Sequence, residues 1–433
     1  MAAKPASTIF AIADPIKLPP ARQVVASGQM SAPIRPPSHR TEGPGQHSNA
    51  SPPELSEFAN VLERAAVRFS LPALRDEAAV QGMARHFARS DLLGRTQARA
   101  GLYLHHFVVK AEQRGLPGEL ALLPYIESAY NPQATSHAGA VGICQFIRST
   151  GRRFDLPQSS LVDMRRDALR CADAMYSYLE ENHRLFGDWH LALAAYNAGE
   201  GAVARALQRN RRAGLPTDFG SLRLPRETRN YVPALLGLAA LIAQPQRYGY
   251  TLPRLPNATQ WEAVALPADI DVSRVLAKSG VSETVFRALN PGLRHAPLVP
   301  RAVHPHVVLP RQAANRFQQA LQAADPRTLS SWQALRVRQR STVSALASRH
   351  GISEQKLRQA NGIGPDRLVQ PGSVLLVPKT RHGTGDISYD VASTARITTA
   401  PRRAATPRAA GRVKPARPIS PALKAGKQTP RSR

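Results

Sequence analysis

A chain of 433 residues, 42% hydrophobic and 20% charged, is long enough for two or more domains. Its net charge of +28, with only 30 acidic residues, draws it toward polyanions: nucleic acid, anionic lipid or the acidic polymers of a cell wall. The two cysteines, Cys144 and Cys171, exclude a disulfide scaffold and a cysteine metal site. They read as small core residues rather than as a bridge.

Taken in chain order, residues 1–52 are rich in Pro, Ser, Ala and Gln without periodicity, and disorder is expected there. The start carries only a short apolar run, Ile9-Phe10-Ala11-Ile12-Ala13, and no lipid-attachment cysteine, so no export signal is legible. From Glu54 apolar residues recur at helical spacing (Leu55, Phe58, Val61, Leu62, Ala65), with Ser51 or Ser56 as the expected cap. Further helices are expected over Glu77–Gln113, Glu119–Glu127, Asp163–Phe186, Trp189–Gln208 and Pro225–Gln244. Gly and Pro punctuate the junctions. The longest apolar run, Ala234 to Ala243, is about half of the roughly 20 residues a membrane-spanning helix needs.

After Pro253 an internal repeat appears. Gly280-Val281-Ser282-Glu283 through Asn290 matches Gly351-Ile352-Ser353-Glu354 through Asn361, at an offset of 71 residues (351 − 280). Each copy closes on an apolar strand ending in Pro, Val307–Pro310 and Leu375–Pro378, and reads strand, helix, helix, strand. The copies occupy 260–310 and 332–378. From 380 to 433 the chain turns basic and rich in Pro and Ala, and no acid follows Asp390. A disordered cationic tail is expected, with nonspecific attraction to polyanions rather than specific nucleic-acid binding.

One stretch carries candidate chemistry. Leu122 to Glu127 is an apolar run ending in a single carboxylate, broken at Asn131-Pro132 and followed by the Gly-rich turn Gly142-Ile143-Cys144-Gln145. A helix C-terminus and apolar neighbours both disfavour the charged carboxylate, as a general acid requires. On local pattern alone an ordinary surface glutamate ending a helix fits equally well. Ser136, Gln145, Tyr196, Asn197 and Tyr231 are uncharged hydrogen-bonding groups among apolar residues, the mix that suits a sugar; singly, each fits a core or cap residue better. No metal cluster, nucleophile elbow or P-loop is present, and no cofactor is expected.

Together, Glu127-Ser128, Gly142-Ile143-Cys144-Gln145, Ala195-Tyr196-Asn197 and Glu227-Thr228-Arg229-Asn230-Tyr231-Val232-Pro233 resemble the ordered motifs of soluble-lytic-transglycosylase domains, in particular the membrane-bound lytic transglycosylase D type. The repeat copies resemble the LysM peptidoglycan-binding module, the first in degenerate form. The resemblance implies a mainly α protein: a lysozyme-like helical catalytic domain (53–250, core motifs 115–245), then small βααβ LysM-type modules. It implies an enzyme of the cell envelope, periplasmic or outer-membrane associated, that acts as a monomer on peptidoglycan strands. Glu127 would be the single acid/base of a lytic transglycosylase cleaving between N-acetylmuramic acid and N-acetylglucosamine. Ser136, Gln145, Tyr196, Asn197 and Tyr231 would hold the sugar, and Ser341, Thr342, Asn361 and Gly362 would contact glycan in the LysM module. A hydrolytic muramidase on the same fold and a non-catalytic wall-binding protein are the alternatives. Two departures stand out: Cys144 replaces the family's usual Trp or Met, leaving a smaller cleft wall, and Arg340-Ser341-Thr342-Val343 replaces Gly-Asp-Thr-Leu.

Overall fold

The computed structural model describes residues 58–379 and 385–401. The expected disorder over 1–52 and the cap at Ser51 or Ser56 therefore lie outside the described residues. Helix α1 (Val61–Ala66) is capped instead by Asn60, whose side chain accepts from Leu62 N at 3.2 Å.

The region expected as one helical stretch from Glu77 divides into α2 (Glu77–Ser90) and α3 (Leu92–Gln113). Asp91 sits between them in the left-handed conformation, ending one helix and capping the next through Gly94 N. A 3-10 turn over Gly118–Leu122 leads into α4 (Leu123–Ser128), and α5 (Arg148–Arg153) follows the Gly-rich loop. Next come α6 (Ala168–Phe186), α7 (Trp189–Ala198), α8 (Glu200–Arg212) and α9 (Arg226–Ala243).

The helix expected over Trp189–Gln208 is thus two. Gly199, with φ 88°, takes a conformation costly to other residues and ends α7 just after the Tyr196-Asn197 pair. Helices α2 and α9 meet at Gly237, where a Cβ would stand 2.6 Å from Met83 Cβ and 2.8 Å from Val80 O. Only glycine permits that approach. No helix among the described residues is long and apolar enough to cross a membrane.

The repeat is realised in three dimensions, with one addition. The first copy holds β1 (Trp261–Ala265), β2 (Ile270–Asp271), α10 (Val272–Ser279), α11 (Glu283–Leu289), β3 (Leu298–Val299) and β4 (His306–Pro310). After α12 (Arg311–Gln322), the second copy holds β5 (Trp332–Arg336), β6 (Ser341–Thr342), α13 (Val343–Arg349), α14 (Glu354–Asn361), β7 (Arg367–Val369) and β8 (Val374–Pro378). In each, the long outer strands pair antiparallel (β1 with β4, β5 with β8), and a two-residue inner pair (β2 with β3, β6 with β7) closes the helical hairpin. Strands of two residues are too short to show a period-2 pattern, so periodicity could not reveal them.

The first copy docks on the helical domain. Trp261 Nε1 donates to Leu102 O, Tyr103 Oη to Ala288 O, and Asp163 N to Gly292 O.

The expectation of disorder from residue 380 is corrected over 385–401. Helix α15 (Tyr389–Thr394), capped by Ser388, and strand β9 (Thr399–Pro401) form there, and β9 adds antiparallel to β7. Ile387, Ala392 and Ala395 are buried. Tyr389 Oη donates to Asp155, Ile387 N donates to Asp269, and Ser160 N donates to Ala395 O. Few apolar residues are involved, but they find a surface already built by three other segments, which composition cannot register.

Candidate active site

The carboxylate of the apolar run is buried. Glu127 lies in the last turn of α4, only 4% exposed, and its Oε1 accepts the hydroxyl of Tyr231 at 2.6 Å. The surface-glutamate reading is therefore excluded.

What holds α4 in place is an αL turn. Ala129 and Tyr130 are both left-handed (φ 51° and 57°), and their amides return to Tyr125 O and Pro124 O. Tyr130 is fully buried, edge-on to Tyr125 and Phe107, and donates to Ala121 O. Gln145 is a third left-handed non-glycine residue in this region (φ 49°). Left-handed conformations cost non-glycine residues free energy and persist where surrounding structure enforces them, which happens often at functional sites.

The Gly-rich loop is built on a buried ion pair that no sequence motif marks. Arg165 grips Asp163 in bidentate fashion (Nε to Oδ1 2.9 Å, Nη2 to Oδ2 2.8 Å). Its Nη1 donates to Gly139 O and Phe146 O, pinning both ends of the loop. Gly142 packs against the same residue, and a Cβ there would stand 2.2 Å from Arg165 O. Inside the loop Gln145 Nε2 donates to Gly142 O at 2.8 Å, and Ala140 N donates to Ser136 Oγ at 3.0 Å.

Cys144 departs from its expected role. It is bonded to Cys171 of α6, 27 residues away, with the Cα atoms 6.0 Å apart. Both cysteines are fully buried. The expectation of two unbridged core residues is corrected, and so is that of a cleft wall: the Cys144 side chain staples the loop to α6. Spacing alone gives no sign of this, because the loop's fold sets the approach of the two Cα atoms. Opening a loop of this length costs roughly 3 to 4 kcal/mol in chain-entropy terms. Cys171→Ala is expected to lower the melting temperature measurably, and an unchanged thermal melt would show the bridge to be idle.

Tyr196 is fully buried and donates to Cys144 O at 2.7 Å, so its hydroxyl supports the loop from the α7 side. Burial, and next the charge of Glu127, push its phenol pKa well up. The same two causes, in the same order, act on Tyr231. Both phenols therefore remain donors across the physiological range. Asn197 is held by Thr228, whose Oγ1 donates to Asn197 Oδ1 at 2.8 Å, aligning α7 with α9. Glu227, one turn before Tyr231, is the other carboxylate whose charge reaches that phenol. Glu127, Tyr231, Tyr196 and the Gln145 loop are thus linked around one point, and Asn197 backs it. Ser136 stands at the far end of the loop.

Behind them, Tyr178 lies 5.4 Å from the Tyr196 ring and donates to Glu200 at 2.7 Å. Arg153 also donates to Glu200 and lies over the Phe154 and Tyr178 rings. Burial acts upward on the Glu200 carboxyl, but these hydrogen bonds and the Arg153 charge hold it below its ordinary value. It is a fixed anion, not an acid.

Residues 107–216 match the family described as the Transglycosylase SLT domain, and residues 335–378 match the LysM domain. The chain carries an SLT domain and a LysM domain. Over 291 residues it is 35% identical to membrane-bound lytic murein transglycosylase D of Escherichia coli K12, covering 64% of each chain. It is 29% identical over 226 residues to membrane-bound lytic murein transglycosylase F 1 of Alkalilimnicola ehrlichii, covering 49% of this chain and 40% of the relative. A solved lytic transglycosylase Slt of Pseudomonas aeruginosa aligns at 25% identity and a TM-score of 0.29, over 44% of this chain and 33% of that one. The SLT match spans Glu127, the Gly-rich loop and Tyr196-Asn197, whereas Tyr231 lies beyond its end.

In the LysM domain the expected glycan contacts divide. Asn361 Nδ2 donates to Leu357 O and Leu376 O, and its Oδ1 accepts from Leu376 N, tying α14 to β8. Asn290 makes the same three bonds in the first copy, to Phe286 O, Val308 O and Val308 N. The shared asparagine is a structural clamp, which explains why the repeat ends on it. Thr342 caps α13, Ser341 Oγ donates to Gln339 O, and Gly362 supplies the left-handed end of α14. Asn361→Ala is expected to destabilise this module by about 2 to 3 kcal/mol by stranding the Leu376 backbone groups. A guanidinium titration followed by tryptophan fluorescence would read this through Trp332; an unchanged curve would reduce the clamp to an ordinary surface amide.

Proposed function

We propose that this protein is a lytic transglycosylase, a carbon–oxygen lyase acting on peptidoglycan, with Glu127 as its acid and base. The observation carrying the reading is the buried Glu127 carboxyl, hydrogen-bonded by Tyr231 and flanked by the strained, Arg165-pinned loop. Protonated Glu127 gives its proton to the glycosidic oxygen as the bond from the N-acetylmuramic acid C1 breaks. The same carboxylate then takes the proton of the muramoyl 6-hydroxyl as that oxygen bonds to C1. The product is a 1,6-anhydro sugar, and no water is consumed. An intramolecular hydroxyl acts at high effective molarity, so no second carboxylate is needed as nucleophile.

In this reading Tyr231 orients Glu127, and Gln145, Asn197 and Ser136 offer polar groups to the sugar. Tyr196 acts by supporting the loop. The LysM domain holds the enzyme to the wall, as its resemblance to a glycan-binding module implies. A cell-envelope location is supported by the Cys144–Cys171 disulfide, since such bonds persist in oxidising compartments such as the periplasm. The chain spans 64% of the length of the Escherichia coli relative, which bears the words membrane-bound in its name.

The test is the mass of the product. Purified protein is incubated with peptidoglycan and the released muropeptides are weighed. Anhydro ends, one water lighter than hydrolysed ends, are expected. Hydrated ends would convert the reading to a muramidase, and no release would leave only wall binding.

A further inference from the structure

The two copies of the repeat differ in the surface on which glycan is expected. At the constant offset of 71 residues, Ser341, Thr342, Asn361 and Gly362 fall opposite Ile270, Asp271, Asn290 and Pro291. In the second copy Gly362 is exposed, and Ser341, Thr342 and Asn361 are half-buried. In the first copy all four counterparts are buried. Asp271 is taken by Ser331, whose N and Oγ both donate to its carboxylate. The turn Pro291-Gly292-Leu293 is taken by the SLT domain. A surface closed in this way cannot lie against a sugar, and the LysM match covers the second copy alone.

What closes the turn lies directly behind the Gly-rich loop. Asp163 N donates to Gly292 O at 2.8 Å, and Val162 pairs with Leu293 as an antiparallel bridge, with Val162 fully buried. The carboxylate of the same Asp163 holds Arg165, which donates to Gly139 O and Phe146 O at the two ends of the loop. Gly292 leaves room for the approach: a Cβ there would stand 3.1 Å from Met164 Cε and 3.4 Å from Asp167 Cβ. A second contact reaches the loop's other anchor. His304 Nε2 of the first copy lies 3.4 Å from Asp167 Oδ2, and both side chains are buried. Asp167 caps α6, the helix whose Cys171 is bonded to Cys144. The first copy thus touches the starting point of both links, ionic and covalent, that hold the loop.

We infer that the first copy is an internal brace: the turn whose counterpart is expected to meet glycan here grips Asp163, and through Arg165 it positions the Gly-rich loop beside Glu127. Its ligand is the SLT domain of its own chain. A misplacement of about 1 Å near reacting groups costs on the order of a hundredfold in rate, so such a brace bears on turnover without touching substrate. The effect on turnover rests on the proposed function; the effect on the loop does not.

The test is hydrogen–deuterium exchange of the full-length protein, read in the peptide covering 139–146. Gly292→Trp drives bulk between the turn and Met164, and should speed exchange in that peptide about tenfold while α9 stays protected. On soluble glycan fragments kcat should fall about tenfold with KM within about twofold, the mark of misplaced chemistry rather than lost binding. Binding to insoluble wall should match wild type. Gly364→Asp, at the exposed counterpart of Leu293 in the second copy, should leave loop exchange and kcat unchanged. If Gly292→Trp opens α9 as well, Leu293→Ala removes packing from Val162 without adding bulk, and should still speed loop exchange about threefold. Loop exchange unchanged in both variants overturns the inference and leaves the first copy an inert spacer. Loss of wall binding with kcat intact also overturns it, and makes the first copy a glycan contact. Because exchange is read without substrate, a protein whose loop responds but which never cleaves glycan sinks only the proposed activity. An active enzyme with an unmoved loop sinks only this inference.

Discussion

Glu127→Gln is expected to lower muropeptide release by about a thousandfold, within the range of loss expected when general acid–base catalysis is removed. In the proposed mechanism one carboxyl group serves both proton transfers, so no other residue would take over half of its role. The amide is nearly isosteric and can still accept the Tyr231 hydroxyl, the contact that Glu127 Oε1 makes at 2.6 Å. The variant should therefore melt close to wild type, which separates a chemical loss from a folding loss. Cleavage at the wild-type rate would remove Glu127 from the mechanism.

The second large effect is expected at Arg165. Its side chain is 5% exposed and that of Asp163 is 11% exposed. Arg165→Met would leave the Asp163 carboxylate buried without its partner and strip donors from Gly139 O and Phe146 O. Breaking a buried pair on one side typically costs about 3 to 5 kcal/mol. Chemical denaturation should show a loss of that size, and activity at low temperature should fall as the Gln145 loop loosens. Pairing Arg165→Met with Asp163→Asn should restore part of the stability but not the activity, because the bridge from Arg165 Nη1 to Gly139 O and Phe146 O is still missing. A single variant that loses less than about 1 kcal/mol would show that the pair is not what holds the loop.

Helices and repeats are legible in the residue order because their signals are local. The apolar spacing of α2, α3, α6 and α9 and the match between Ser282–Asn290 and Ser353–Asn361 need only neighbouring residues. Boundaries are harder where a single residue changes hand: Asp91 and Gly199 each divide a segment that periodicity alone runs together. The site is legible in part. Glu127, Gln145, Tyr196, Asn197 and Tyr231 stand out in sequence as a pattern, and the fold gathers Glu127, Tyr231, Tyr196 and the Gln145 loop. Arg165 is not legible, since it resembles any other arginine in a chain with 58 Lys and Arg residues. Its importance comes from burial, which composition does not encode.

The stretch from Leu122 to Phe146 marks where the two kinds of information part. Residue order alone named a lone carboxylate in an apolar run, a Gly-rich turn and an amide, and a reaction only through the family resemblance of these motifs. Tertiary structure decided the rest. It buried Glu127 under Tyr231, joined Cys144 to Cys171, and added Thr399–Pro401 to the LysM sheet. Each of these depends on groups far apart in the chain meeting across a packed interior. Hydrogen bonds, a disulfide and strand pairing act over a few ångströms of space, whatever the separation in sequence.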